Sequence, residues 1–506
     1  VAMTGGQAVE SGQTPQQIAT QVRAEGVETI VIVTEDPVRY ANVKDLPPRV
    51  RIYDRDDLDA VQKGLQKTPG VSVLIYDQLC ATEKRRRTKR GLRAPDRTRA
   101  IINTEICEGC GDCSVQSNCL SVEPVETELG RKRRINQSTC NTDLSCLKGF
   151  CPSFVTLTDG DFCAEDAPRP KIDASQLPLP EMPDLDRPWN VVFTGVGGTG
   201  VTTVAAILAM AAHVDGQAAS TLDMTGLAQK GGPVLSHLRF ARTADEIMTG
   251  RVPPAGADCI IACDLVVAAS EDALLLSAAE QTYVCANKDI TPTSAFILDR
   301  SVKYPVDLMA GRIARGARDM AAIDAEALAM RYFNSAIFTN MIMVGYAWQK
   351  GQLPVSLRGL YRAIKLNHMA VEDNMAAFEV GRIAASAPER LEPAEDPRGT
   401  PTQLTLDDLV QDRVNRLVAY QNSAYADRYQ AVIEKVRRAE KLLGLGEALS
   451  RDAAFFAYKL MAYKDEYEVA RLWTDGRFER SLRETFKGGQ IRFHLAPPVL
   501  GKRDSS

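Results

Sequence analysis

An α/β protein of several domains is what this sequence predicts, and three observations carry that expectation. Helix and strand signals alternate near the N-terminus and again in the middle of the chain, the order that builds parallel sheets. Two polar, proline-containing stretches, 166–187 and 387–408, separate those blocks and read as linkers. Seven of the 12 cysteines lie between Cys107 and Cys151, a density that marks a small domain of its own.

Composition agrees. At roughly 100–200 residues per domain, 506 residues allow about three domains. The 61 basic and 65 acidic residues leave a net charge of −4, so no global field draws nucleic acid or an acidic membrane. No stretch approaches the ~18 apolar residues of a membrane span. A basic-then-apolar leader is absent, and the expectation is a cytoplasmic protein. The chain opens on Val1, and Arg492–Pro498 runs on without a clear closing element. Both ends therefore suggest an internal piece of a longer protein.

Thr14-Pro15 is a cap and first-turn pair, leading through a helix into the β-rich Thr29–Thr34. A second helix at about 55–67 precedes a strand over Val71–Tyr76. From Lys84 to Arg99 there are nine basic residues and one acid. That run reads as a solvated linker, as a collar steering an acidic electron carrier, or, on pattern alone, as a localisation signal.

The cysteines run Cys107-x2-Cys110-x2-Cys113-x5-Cys119, then Cys140-x5-Cys146-x4-Cys151-Pro152. Disulfides are disfavoured in a reducing compartment, and zinc would explain one pair only. Three thiols at i, i+3 and i+6 wrap one corner of an iron–sulfur cube, and the remote cysteine serves the other cluster. One [4Fe-4S] cluster then takes Cys107, Cys110, Cys113 and Cys151. The second takes Cys119, Cys140 and Cys146, with Asp143 where a fourth thiol is expected. A carboxylate is a harder ligand than thiolate, so that cluster is either Asp143-ligated or a [3Fe-4S] species. Cys163 is a reserve ligand.

Further on, the strand Asn190–Thr194 meets Gly195-Val196-Gly197-Gly198-Thr199-Gly200 and a helix. Glycines between strand and helix let backbone amides face an anion. Asp223, after Ala219–Leu222, would be the ribose-binding acid of a dinucleotide site. The loop 224–233 and His237 form a polar segment of the kind that carries sites, or an ordinary turn with a satisfied strand histidine. Asp264 is a site acid or a helix cap. Two proline-free amphipathic runs, Leu409–Leu443 and Ala453–Phe486, close the chain.

Taken together these motifs resemble the 2-oxoacid:ferredoxin oxidoreductases, and within them the fused indolepyruvate type. The resemblance rests on MTGGQ at 3–7, CEGCGDCSVQSNC at 107–119, CNTDLSCLKGFCPSF at 140–154 and FTGVGGTGVTT at 193–203. TGLAQKGGPVLSHLR at 225–239, AIKLNHMAVEDNMAAFEVGR at 363–382 and KLMAYKDEYEVARL at 459–472 complete it, in family order along nearly the whole chain.

The resemblance implies residues 1–80 as the end of a thiamine-type α/β domain and 81–165 as a ferredoxin-like two-cluster domain. It implies 188–386 as a Rossmann-like γ catalytic domain and 409–506 as an incomplete, mostly helical C-terminal segment. Thr4, Gly5 and Gly6 would lie beside thiamine diphosphate. The family's magnesium-binding GDG motif and asparagine do not occur here, so this stretch alone would be inactive. Gln229, Lys230 and His237 would lean over the thiamine as catalytic residues, with Gly195, Gly197, Gly198 and Gly200 structural or phosphate-facing. The family pattern also carries an acid near Asp143.

The implied reaction is oxidative decarboxylation of an aryl 2-oxoacid such as indolepyruvate. Coenzyme A takes the acyl group, thiamine diphosphate and Mg2+ perform the carbon chemistry, and the clusters pass electrons to ferredoxin. The implied partners are ferredoxin, the rest of the polypeptide or a partner subunit, and a second copy in a dimer. Two other readings stand beside it: an electron-transfer adaptor subunit with its thiamine site elsewhere, and an NAD(P)-linked iron–sulfur enzyme using Gly195–Gly200.

Overall fold

The computed structural model describes residues 12–80, 83–84, 87–88, 91–149, 151–162, 172–197, 199–225, 232–290, 302, 304–391 and 404–494. The chain divides into two compact units, Val1–Asp96 and Arg97–Ser506.

In the first unit, α1 (Pro15–Ala24) starts where the sequence places it. Thr14 Oγ1 accepts the Gln17 amide at 3.3 Å and Gln17 Oε1 accepts the Thr14 amide at 2.9 Å, a reciprocal pair that satisfies two orphan donors. β1 (Thr29–Thr34) is the centre of a parallel sheet, flanked by β2 (Arg51–Asp54) and, beyond α2 (Leu58–Leu65), by β3 (Ser72–Asp77). A central strand buries both faces. Ile30 and Ile32 face Ala19 and Tyr40, while Val31 and Val33 face Val61. β2 is the strand the sequence hides, four residues with a charge at each end.

The second unit begins with the cysteine module. β4 (Thr98–Ile102) takes up the end of the basic run, so Thr98 and Arg99 belong to a sheet, not to a linker. α3 (Asp112–Ser117) follows the first cysteine loop, and β5 (Val122–Thr127) and β6 (Gly130–Ile135) form a hairpin. After the second cysteine loop, β7 (Phe154–Thr158) pairs antiparallel with β4, and β8 (Asp161–Phe162) comes next.

Residues 189–386 form a six-stranded sheet between helical layers. Its elements begin with β9 (Trp189–Val196), α4 (Val201–Val214), β10 (Ala218–Thr225), β11 (Pro233–Ala241) and β12 (Cys259–Ala262). They continue with α5 (Leu265–Ala268), α6 (Glu271–Leu274), β13 (Tyr283–Asn287), α7 (Val306–Arg315) and β14 (Asp319–Ile323). The strand order is β10-β11-β9-β12-β13-β14. β9, β12, β13 and β14 are parallel, and β11 runs antiparallel to both β9 and β10. Both faces are covered, as parallel strands require: Val191 and Phe193 enter one core and Val192 and Val196 the other.

Four helices thicken the first core: α8 (Ala325–Phe333), α9 (Thr339–Gln349), α10 (Leu357–Leu366) and α11 (Val371–Ser386). Every residue of α9 is buried, which is why its sequence is apolar all round and not amphipathic.

The C-terminal runs are broken where the sequence suggested continuous helices. The first is α12 (Leu406–Tyr420) and α13 (Ser423–Leu442), because Asn422 caps the second helix through the Tyr425 amide at 2.9 Å. The second is α14 (Ala448–Met461), α15 (Glu466–Thr474) and α16 (Arg477–Thr485). β15 (Phe486–Lys487) pairs with β8, and β16 (Gln490–Phe493) adds a third strand beside β7. The C-terminal helices thus share a core with the cysteine module: Val469, Leu472 and Trp473 pack on Ile106 and Val155. No helix among the described residues is long and apolar enough to cross a membrane.

Candidate functional site

The first cysteine loop leaves β4 through Asn103, whose carbonyl accepts the Cys107 amide at 3.0 Å. Gly109 and Gly111 take φ values of +68° and +77°, a conformation glycine adopts without penalty. At 109 glycine is also needed for room, since a Cβ would lie 2.2 Å from the Arg131 carbonyl oxygen of β6. This winding turns amides toward sulfur. The Gly109 amide donates to Cys107 Sγ at 3.3 Å, and the Thr142 amide to Cys140 Sγ at 3.4 Å. Cys151 Sγ lies 3.0 Å from Ser153 Oγ.

Six of the seven cysteines meet in one core: Cys107, Cys113 and Cys146 are buried in it, and Cys119, Cys140 and Cys151 pack against it. Burial, reinforced by Cys107, Cys151 and Cys110, pushes Cys113 up to about 12. Burial also lifts Cys151, which interacts with Cys107 and Cys110. Cys146 is pushed up to about 12 by burial and then by Cys140, Cys119 and Cys113. None of the seven is in a disulfide; Cys107, Cys113 and Cys146 are buried and Cys110 is exposed.

Asp143 is exposed, and its carboxylate accepts a hydrogen bond from Ser145 Oγ. Thr142 and Leu144 on either side of it have φ of +54° and +61°, each costing about 1 kcal/mol for a residue with a Cβ. Such strain persists where the surroundings over-determine it, as at ligand clamps.

Among the described residues no three His, Cys, Asp or Glu side chains converge on one ion position. A cubane does not require that, because each thiolate binds a different corner iron and sulfide fills the space between. Cysteines gathered around one core without disulfides, with amides donating to sulfur, are the donor chemistry of iron–sulfur ligation.

The glycine turn is less open than its pattern suggests. The Gly197 amide is taken by the Gly232 carbonyl at 2.7 Å, and a Cβ on Gly195 would lie 2.6 Å from Val201 Cγ2. Gly200, at φ +99°, caps α4. Asp223 sits on the edge strand β10, with β11 between it and β9, and accepts from Ser236 Oγ at 2.5 Å. A dinucleotide site needs that acid on the strand next to the glycine turn, so the nicotinamide reading loses its second feature. Asp264 caps α5, accepting the Val267 amide at 3.0 Å, and it also lines a cavity at the carboxyl end of the sheet. Gly198, Gln229, Lys230, Thr4, Gly5 and Gly6 lie outside the described residues.

His237 is 1% exposed in the middle of β11. Its Nδ1 accepts the Val252 amide at 3.2 Å and its Nε2 faces Met224 Sδ at 3.2 Å. The ring is a satisfied strand residue, away from the glycine turn. Burial and then Arg251 lower its pKa, against a smaller opposing effect of Asp223. The unfolded chain takes up a proton near pH ~6.5 that the folded ring refuses, so stability falls as pH drops below that value. His237→Gln is expected to flatten this slope, measured as the denaturant midpoint at pH 5 and pH 7. An unchanged slope would mean that the folded imidazole protonates normally.

Sequence reasoning offered Asp264 as a site acid but did not foresee the cavity around it. At the carboxyl ends of β9, β12 and β13, where open α/β sheets bind ligands, the β5–β6 hairpin closes a cavity of about 80 Å³. Glu123, Arg134, Thr199, Asp289, Glu326 and Thr339 are in its wall. Arg134 lies 3.3 Å from Glu123, and burial, then Asp289, holds Glu326 well above the usual carboxylate range. These acids come from three distant segments, and no spacing signals their meeting.

Comparisons with known proteins follow this division of the chain. Residues 190–384 match the family model described as pyruvate ferredoxin/flavodoxin oxidoreductase. Residues 406–506 match a family of unknown function. Indolepyruvate oxidoreductase subunit IorB from Pyrococcus horikoshii is 30% identical over 201 residues, which are 39% of this chain and 96% of that protein. The protein of the same name from Archaeoglobus fulgidus is 28% identical over 38% of this chain and 92% of its own length. NADH-dependent phenylglyoxylate dehydrogenase subunit gamma from Aromatoleum evansii is 29% identical over 38% and 92%.

Proposed function

This chain belongs to the 2-oxoacid:ferredoxin oxidoreductase family, and on that premise we propose that it is the electron-collecting and γ-type part of an aryl 2-oxoacid oxidoreductase. The reaction is oxidative decarboxylation of an indolepyruvate-like acid to the arylacetyl-CoA and CO2, with electrons leaving one at a time to ferredoxin. Relatives named for indolepyruvate and for phenylglyoxylate support an aromatic 2-oxoacid as substrate.

The observation that carries the proposal is the gathering of Cys107, Cys113, Cys119, Cys140, Cys146 and Cys151 around one core in the same compact unit as the γ-type sheet. Cys107, Cys110, Cys113 and Cys151 would hold one cluster; Cys119, Cys140 and Cys146, with Asp143, would hold the other. Bound clusters supply one-electron storage. The chain's own contribution is to bury three of the seven thiols, donate amides to sulfur and bring one edge to solvent at Cys110. Because Cys113 and Cys146 have raised pKa values, cluster binding releases protons there.

The complete enzyme, purified without oxygen, is expected to be brown and to contain acid-labile sulfide. Indolepyruvate plus coenzyme A should bleach it, and NADPH should not. Bleaching by NADPH alone would select the nicotinamide-linked alternative, and a protein without labile sulfide would end the iron–sulfur reading.

A further inference from the structure

The strand beneath the first cysteine loop carries charge into the interior. At Gly109 the loop lies so close to β6 that a Cβ would be 2.2 Å from the Arg131 carbonyl oxygen and 3.8 Å from Lys132 Cα. The next residue along that strand, Arg133, is 1% exposed, and its Nη1 donates to the Lys132 carbonyl at 3.3 Å. Burying a guanidinium costs several kcal/mol, so the position is an expensive place for a residue that only fills space.

The loop that lies on this strand is the one that carries Cys107, Cys110 and Cys113. Successive side chains of a strand alternate between its faces, so Arg133 shares a face of β6 with Ile135, which packs in the core of Cys107, Cys113 and Cys146. Lys132 beside it is 5% exposed.

We propose that Arg133 is a potential-setting residue, whose buried positive charge raises the reduction potential of the four-cysteine site. This rests on the iron–sulfur reading above. One-electron reduction adds one negative charge to the thiolate-bound group, taken from an external reductant, and neither makes nor breaks a bond. In a low-dielectric interior a fixed cation beside that group stabilises the reduced form, and charge and hydrogen bonding around the sulfurs are what set such potentials.

The test is an EPR-monitored reductive titration of the complete protein with dithionite and mediators, the four-cysteine signal being the one absent from Cys110→Ala. In Arg133→Met that signal is expected to need a lower potential, with its reduced-to-oxidised ratio at fixed potential falling at least about tenfold, ~59 mV for one electron. The three-cysteine signal should stay in place, and Arg133→Lys should titrate close to the parent protein. If Arg133→Met does not fold, Arg133→Gln makes the same neutral comparison.

An unmoved four-cysteine midpoint in the neutral variants, or equal shifts at both sites, would overturn the proposal and leave Arg133 a packing residue. Loss of iron with no change in the potential of what remains would do the same. A protein with no labile sulfide fails at the earlier step, the iron–sulfur reading itself, and takes this inference with it.

Discussion

Cys110→Ala is expected to lose one of two clusters, with iron and labile sulfide falling by about half and electron output to ferredoxin abolished. Cys110 is the exposed member of its set, whereas Cys107 and Cys113 are buried. Removing its side chain therefore opens no cavity, and the effect of the substitution reports ligation and not packing. Because a cluster's binding energy is part of the folding energy of its module, the cysteine module should also melt earlier than in the parent protein. Chemistry on the oxoacid side should persist, since that part of the reaction does not use this thiol. Cys80, exposed in the other compact unit, is the control, and Cys80→Ala should keep full iron. Iron and sulfide analysis with EPR decides it, and a Cys110→Ala protein with undiminished iron reducing ferredoxin at full rate would refute the assignment.

Gly381→Ala is expected to destabilise the γ-type domain by about 3 kcal/mol, within the range for overpacked cores. The helices α9 and α11 approach through two glycines. A Cβ at 381 would lie 2.0 Å from the Ile342 carbonyl oxygen and 2.7 Å from the Tyr346 amide, and a Cβ at 345 would lie 2.0 Å from the Phe378 carbonyl oxygen. The atoms met are backbone, so relief requires the helices to separate along a fully buried seam. The ~1 kcal/mol that alanine gains over glycine in a helix does not offset that. Gly64→Ala in α2, where nothing lies within 4 Å, should show the opposite sign and stabilise the first unit by about 1 kcal/mol. Denaturant unfolding followed at Trp348, buried on α9 against Phe378, reads the first effect. An unchanged midpoint for Gly381→Ala would show that the two helices can part without cost.

Several features were legible because their physics is local. The Thr14 cap needs only Gln17, and the cysteine loop needs only a spacing that brings thiols to one turn. Asn422 was equally local, an N-cap residue within a run read as one helix; its signal was present and was outweighed by the amphipathic pattern around it.

Other features had no local signature. The pairing of β11 between β9 and β10 depends on which strand finds which neighbour. That choice moved Asp223 to a sheet edge and emptied the dinucleotide pattern of its acid. His237 reads in the sequence as polar and available, yet β11 carries it into the interior, where Val252 and Met224 occupy both ring nitrogens. β16 beside β7 joins residues more than 300 positions apart, and the acids around the cavity meet only when the β5–β6 hairpin closes over the sheet.

What the sequence determined alone was the chemistry available: seven thiols at iron–sulfur spacing with Asp143 among them, a glycine turn, and an α/β alternation. Donor type and spacing along a short loop are properties of the chain itself. What only the tertiary structure decided was environment: which thiols are buried, that Arg133 is buried on the strand beneath the first cysteine loop, that His237 is satisfied, and that the C-terminal helices and strand complete the cysteine module. Burial, charge and strand partnership depend on distant segments arriving at one place, and no window of sequence contains them.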